Sequence, residues 1–373
     1  MTAVYLHIPY CTSKCPYCDF ASVPINDSLD SYLRALVVEA EQMSATLSSV
    51  ETLYVGGGTP TILSPGRIRW LLEHLREVLD ISPLAEITLE ANPCSLDAAK
   101  ADVLAATGVN RVSLGAQSFD DAELSFLGRQ HRAVDVARAF SLLRRAGIEN
   151  ISVDLIYAIP NQSVESWRNS LARAVEMEPE HVSTYCLTFE PATRFLKLLE
   201  EGKIKKKSDE GELELYEIAL ETLSDAGYEH YEISNFALPG RRSRHNMVYW
   251  SNEEYLGLGA SAVSYLGGSR ITNLRGPQAY IRAMETRGDA VCEIESIPPN
   301  MQAIETIIQR LRLKDGVDSD SFAGRFGISL EKALGSSLSD LTGLGLLEWD
   351  GQTIKSSAKG WHLANEVALR ILP

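Results

Sequence analysis

The chain has 373 residues, 45% of them hydrophobic and 23% charged, with a formal net charge of −15. That length exceeds one ordinary core but suits an α/β barrel of roughly 200–250 residues with an appended domain. The negative charge opposes non-specific binding to nucleic acid or anionic lipid, no apolar run approaches the ~20 residues of a membrane span, and MTAVYLHIPY shows no basic region with a cleavable apolar stretch.

In chain order, short β-rich runs alternate with amphipathic helices, the pattern of parallel strands joined by crossover helices. The runs are VYLHIP from Val4, TLYVGG from Thr52, EITLEA from Glu86, RVSLGA from Arg111, ISVDLIY from Ile151 and HVSTYCLTF from His181. Helix starts are read at Asp27-Ser28, Ser64-Pro65 and Ser95. Six β/α units predict an open, partial (β/α)6 barrel over residues 1–190, with its chemistry at the carboxyl ends of the strands. Residues 191–297 then read as an α/β extension. It contains a basic KIKKK from Lys203, expected to be a solvated surface segment, a helix from Ser208 to Ala226, and β-like, Gly-rich sequence from Glu229 to Leu274. Residues 298–373 predict helices at 301–313 and 330–344, an Asp-Gly hairpin in LLEWDGQTIKSS and a last helix from Gly360, a small α+β, winged-helix-like unit. Its eight basic and nine acidic side chains between 299 and 373 leave no basic face for phosphates, so it is read as a packing or docking domain.

With six cysteines and no export signal, a reducing, cytoplasmic location is expected, where thiols serve metals or fill space. CTSKCPYC places Cys11, Cys15 and Cys18 at C-x3-C-x2-C spacing just after the first strand. Three thiolates leave one corner of a four-iron cluster open, whereas a zinc site usually takes paired C-x2-C ligands, and no second pair exists here. Cys94, Cys186 and Cys292 are scattered singly and are expected to be structural. Gly56-Gly57-Gly58-Thr59-Pro60 ends the second strand, where absent side chains allow close backbone approach to a ligand. Glu90 and Gln117 end the third and fourth strands and Asp154 lies in the fifth, so their polar groups would converge on one mouth.

The cluster loop resembles that of the radical-SAM superfamily, and YLHIPYCTSKCPYCDF looks like its porphyrin branch. The resemblance implies a [4Fe-4S] cluster on Cys11, Cys15 and Cys18, with S-adenosylmethionine (SAM) on the open iron and an electron donor that lets the cluster split SAM to a 5′-deoxyadenosyl radical. By the same resemblance Tyr5 and Tyr17 touch the cofactor beside the cluster, Gly57, Gly58 and Thr59 line its methionine side, and Glu90, Gln117, Arg129 and Asp154 are polar SAM-site positions. Arg129 suits a carboxylate through a two-pronged charged hydrogen bond. The family often reads Tyr-Gly-Leu-Pro after the fifth strand; here Tyr157-Ala158-Ile159-Pro160 stands there, which predicts that positive φ is not required.

Within that branch two readings compete over residues 1 to about 270: haem chaperones of the HemW type and oxygen-independent coproporphyrinogen III dehydrogenases. Only four residues precede Tyr5, leaving no room for the dehydrogenases' N-terminal extension, and Phe20 stands where they tend to carry a further cysteine. His245, Asn246, Tyr249 and Trp250 match the HNxxYW motif associated with HemW-type proteins, where it is proposed to bind haem. Imidazole can ligate haem iron, and Tyr and Trp offer flat faces to a porphyrin, although such a histidine is more often packed in a core. The chaperone reading implies haem as cargo and haem-accepting proteins as partners; a homodimer linked to cluster loading is conceivable from the likeness. An unrelated radical-SAM methyltransferase is the third class.

Overall fold

The computed structural model describes residues 2–373, as an α/β protein built on one large, mostly parallel sheet. Six strands supply the predicted units: β1 (Thr2–Ile8), β2 (Val50–Gly57), β3 (Ile81–Ala91), β4 (Arg111–Gln117), β5 (Asn150–Tyr157) and β6 (His181–Cys186). They pair in parallel, in sequence order. Beyond β6 the sheet continues antiparallel through β7 (Glu229–Glu232) and β8 (Asn235–Ala237), with β8 next to β6. On the other flank β9 (Tyr255–Leu258) lies parallel to β1, followed by β10 (Val263–Leu266), β11 (Ser269–Asn273) and β12 (Val291–Ser296). The order is therefore β12-β11-β10-β9-β1-β2-β3-β4-β5-β6-β8-β7, and its outer strands do not pair, so the barrel stays open.

Strand periodicity explains how a buried sheet carries a polar site. Val4, Leu6, Ile8, Leu53, Val55, Ile87, Leu89, Val112, Leu114, Ile151, Val153 and Val182 point outward into one core with the crossover helices. Full burial of each such aliphatic side chain is worth about 1.5–3 kcal/mol. The alternate positions, Tyr54, Glu90, Ser113, Gly115, Asp154 and Tyr185 among them, face the barrel interior.

Helix entries follow local capping chemistry. Ser64 accepts from the Arg67 N–H and Ser208 from Gly211, as their positions in the sequence suggest. The helix expected after Ser95 starts later: Asp97 caps Ala98–Ala106 by accepting from Lys100, while the Ser95 hydroxyl bonds the Asn92 carbonyl and Thr61 in a preceding 3-10 turn. RHNMVYW, expected within β-like sequence, is the helix Arg244–Trp250, capped by Ser243.

Residues 191–297 build no core of their own: Leu215, Ile218, Leu223, Tyr280 and Ala290 join the main one. A second core gathers Ala303, Ile307, Phe322, Leu341, Ile354 and Val367. The helix expected over 330–344 is broken at Gly335 (φ +55) into Leu330–Leu334 and Ser336–Gly343. The hairpin forms as expected, Leu347–Trp349 against Thr353–Ser356, with Gly351 at φ +93 in its turn. This unit docks on the helix Arg244–Trp250 and its C-terminal loop: Arg325 donates to Ser251 O at 2.9 Å, Asn252 Nδ2 to Thr306 Oγ1 at 3.0 Å, and Arg242 pairs with Asp315 at 2.6 Å. No helix among the described residues is long and apolar enough to cross a membrane.

Candidate functional site: a thiol-rimmed cavity in the open barrel

At the carboxyl ends of the strands the barrel opens into a cavity of about 1170 Å³. The cysteine loop forms part of its rim. Tyr10–Cys11 pairs with Val23–Pro24, which closes the loop at its base, and Cys18 N–H donates to Cys15 O at 3.2 Å, which turns it. Phe195 N–H holds Pro16 O at 3.0 Å, and Thr12 and Ser13 bond Gln130. Cys11, Cys15 and Cys18 are all free and all line the cavity. Cys11 Sγ lies 3.5 Å from Thr59 Oγ1 and Cys15 Sγ 3.8 Å from Arg129 Nη1, while burial pushes the Cys18 thiol up. Among the described residues no three His, Cys, Asp or Glu side chains gather tightly enough for a single metal ion. Three free thiols on one rim suit a polynuclear group in which each sulfur takes its own iron.

The glycine triplet acts as a spacer between protein parts as much as a path for a ligand. A Cβ on Gly56 would stand 2.9 Å from the Glu90 carboxyl, one on Gly57 (φ +109) 2.5 Å from the His7 ring, and one on Gly58 2.5 Å from Tyr10 O. The space so kept lets Glu90 accept from Gly57 N–H at 3.0 Å and from the Tyr54 hydroxyl at 2.9 Å. Burial nevertheless pushes the Glu90 carboxyl up to about 7. Asp154 is held by Ser113 at 2.6 Å and Ser152 at 2.8 Å. Gln117 stands at φ +67, in a register irregularity between β4 and β5. Arg129 donates through Nη2 to Gly115 O at 3.3 Å, and its buried Nε has no partner among the described residues. Arg129 lines the cavity, and a guanidinium with a donor to spare fits an anionic ligand group such as the carboxylate of an amino acid.

Tyr17, Gly57, Gly58, Thr59, Glu90, Gln117, Arg129 and Asp154 thus meet in one cavity with the thiols. Tyr5 does not line it. Its hydroxyl bonds His7 Nδ1 at 3.0 Å and its ring stacks 6.1 Å from Tyr54, so it supports the wall from behind. Ala158 corrects the expectation drawn from the missing glycine: its φ is +60, so the turn after β5 keeps the left-handed geometry without the residue that favours it. Cys94 and Cys292 are exposed, contrary to a space-filling role, and the half-buried Cys186 lines the cavity.

The HNxxYW side chains lie elsewhere. Glu86 accepts the N–H groups of Arg244 and His245, both at 3.0 Å, which seats the helix Arg244–Trp250 at the amino ends of β2 and β3. His245 is 1% exposed; its Nδ1 meets Thr52 Oγ1 and its Nε2 the Tyr249 hydroxyl, each at 2.9 Å. Burial and the Arg111 charge lower its pKa to about 3, so it is neutral. Both imidazole nitrogens are thus hydrogen-bonded, and ligation of haem iron by His245 would require one of these bonds to break. Tyr249 packs edge-on against Tyr255, and Trp250 lies under Arg312, its ring 4.6 Å from Cζ. Asn246 continues the same helix, its N–H donating to the Ser243 cap at 3.4 Å.

Comparison with known proteins places the chain in a family. The Radical SAM superfamily pattern matches residues 5–174 and the HemN C-terminal domain matches 297–363. The protein called Heme chaperone HemW from Lactococcus lactis is 38% identical over 371 residues, covering 99% of this chain and 97% of its own. The chain belongs to the HemW family of radical-SAM proteins. Other members similar to it, under the same name, include one from Bacillus subtilis, 38% identical with 98% of each chain covered, and one from Escherichia coli, 33% identical with 87% and 86% covered. Membership implies a [4Fe-4S] cluster and SAM. The structure of coproporphyrinogen III oxidase (HemN) from Escherichia coli superposes with a TM-score of 0.86 over 99% of this chain and 89% of the other, at 24% identity, a likeness of fold.

Within this HemW-family barrel, sequence reading missed His7, Tyr54 and Tyr185. Tyr54 and Tyr185 alternate with core residues along β2 and β6, and an inward period of two would have flagged them. The segment Trp361–Glu366, which also lines the cavity, carries no local signal at all.

Proposed function

We infer that this protein is a haem chaperone that carries a [4Fe-4S] cluster on Cys11, Cys15 and Cys18 and binds SAM beside it. The observation that carries this reading is the match of the whole chain to proteins named as haem chaperones, joined to three free thiols on the rim of the cavity that holds the glycine segment. Arg129 would hold the SAM carboxylate, and Glu90, Gln117 and Asp154 would take its polar groups, while Gly57, Gly58 and Thr59 keep the cluster loop close. Tyr54 and Gly57 each donate to one oxygen of Glu90, fixing the orientation of its carboxyl group. When bound, the cluster supplies one electron to SAM; an electron donor is therefore a partner, as are the proteins that accept haem. The reducing environment that keeps such thiols free corresponds to the cytoplasm. A homodimer responsive to cluster loading completes the proposal.

The test is anaerobic reconstitution followed by incubation with reductant, SAM and either haem or coproporphyrinogen III. Transfer of haem to an acceptor apoprotein supports the reading. Conversion of coproporphyrinogen III to protoporphyrinogen IX at a useful rate overturns it, and S-adenosylhomocysteine as the SAM product would point to methyl transfer instead.

A further inference from the structure

The cavity is larger than the ~300–1,000 Å³ that holds one small ligand, and its outer part has a different character from the cluster side. There the C-terminal residues Trp361, His362, Leu363 and Leu369 line the wall beside Tyr216 of the barrel side. Leu369 is 67% exposed and Leu363 43%, so apolar surface is left open at the mouth. His362 is exposed on this wall, its ring edge-on to Tyr216 at 5.6 Å. Unlike His245, it makes no side-chain hydrogen bond among the described residues. Arg312 lines the same space, lying over Trp250, and its buried Nε has no hydrogen-bond partner among the described residues. The buried carboxyl of Glu232 feels the Arg312 charge; Asn235 donates to its Oε1, and its Oε2 has no partner among the described residues.

An unengaged imidazole, flat apolar walls and a donor-rich cation match the iron, macrocycle and carboxylates of haem. We propose that haem binds in this outer chamber with His362 as the iron ligand and a propionate on Arg312. The proposal rests on the chaperone reading. It also accounts for the HNxxYW motif: Trp250 is a positioning residue that supports Arg312, and His245 braces the barrel from the opposite end.

The experiment is titration of the full-length, cluster-loaded protein with ferric haem under anaerobic conditions, read by the Soret band and by electron paramagnetic resonance. His362→Ala and His362→Gln should each shift the Soret maximum and weaken binding at least about tenfold. Added imidazole should restore the wild-type spectrum to His362→Ala. Arg312→Gln should weaken binding about tenfold without moving the band. Wild-type spectrum and affinity in both His362 variants would overturn the proposal and leave the chaperone reading standing. A wild-type protein that takes up no haem would overturn both.

Discussion

Gly58→Ala tests how the glycine segment and the cysteine loop are coupled. Gly58 N–H donates to Ile8 O and Thr59 N–H to Tyr10 O, both at 2.8 Å, so the two segments run locked together up to Cys11. A Cβ on Gly58 would stand 2.5 Å from Tyr10 O and 2.8 Å from Ile8 O. Ordinary contact begins near 3.4 Å, so the strands must part by about 0.9 Å, and both obstacles are backbone. That separation breaks or badly stretches both hydrogen bonds; at ~1–3 kcal/mol for each, the loss is about 2–6 kcal/mol. Denaturant unfolding of the variant should show a lower midpoint with an unchanged slope. Iron and sulfide retained after anaerobic reconstitution should fall in parallel, because Cys11 lies at the end of the displaced segment. Gly66→Ala is the control: nothing lies within 4 Å of its Cβ, and its helical position makes the change neutral to mildly stabilising. A Gly58→Ala protein with the wild-type midpoint and a full complement of iron would refute the reasoning.

Other outcomes follow from the same structure. Glu90, raised to about 7 from an ordinary value of 4.5, binds a proton in the folded state that the unfolded chain has released, so its contribution to stability is present below pH 4.5 and lost as the pH rises to 7. Glu90→Gln should remove up to about 1.4 kcal/mol per pH unit of that slope, measured by unfolding free energies across the window, and should weaken SAM binding at pH 8. Ala158→Gly relieves a left-handed alanine worth about 1–2 kcal/mol against a glycine entropy cost of about 0.5–1 kcal/mol, so the unfolding midpoint should stay level or rise slightly. His245→Ala strips the Thr52 and Tyr249 hydroxyls of a partner and leaves a hole, which should cost about 3–5 kcal/mol in unfolding free energy; the Soret maximum of the folded fraction should not move.

Local chemistry made much of this protein legible in its sequence. Parallel strands show as β-rich runs between amphipathic helices, and three cysteines at C-x3-C-x2-C spacing announce a cluster loop, because both depend on residues near each other in the chain. Glu90, Gln117 and Asp154 converge because the strands of this architecture share one mouth, a regularity that sequence order alone conveys, whereas Arg129, in the loop after the helix that follows Gln117, was legible only through the family resemblance.

Tertiary structure decided the rest. His245 and His362 are both histidines in helical segments with aromatic neighbours. One is locked between Thr52 and Tyr249 at the barrel's closed end, and the other stands at its mouth, since the partners that bury or spare an imidazole come from 193 residues away in one case and from the docking of a whole unit in the other. Periodicity and capping act over a few residues and set which elements form. Which side chains remain free to bind depends on contacts between elements, and these are settled only when the sheet and the C-terminal unit pack together.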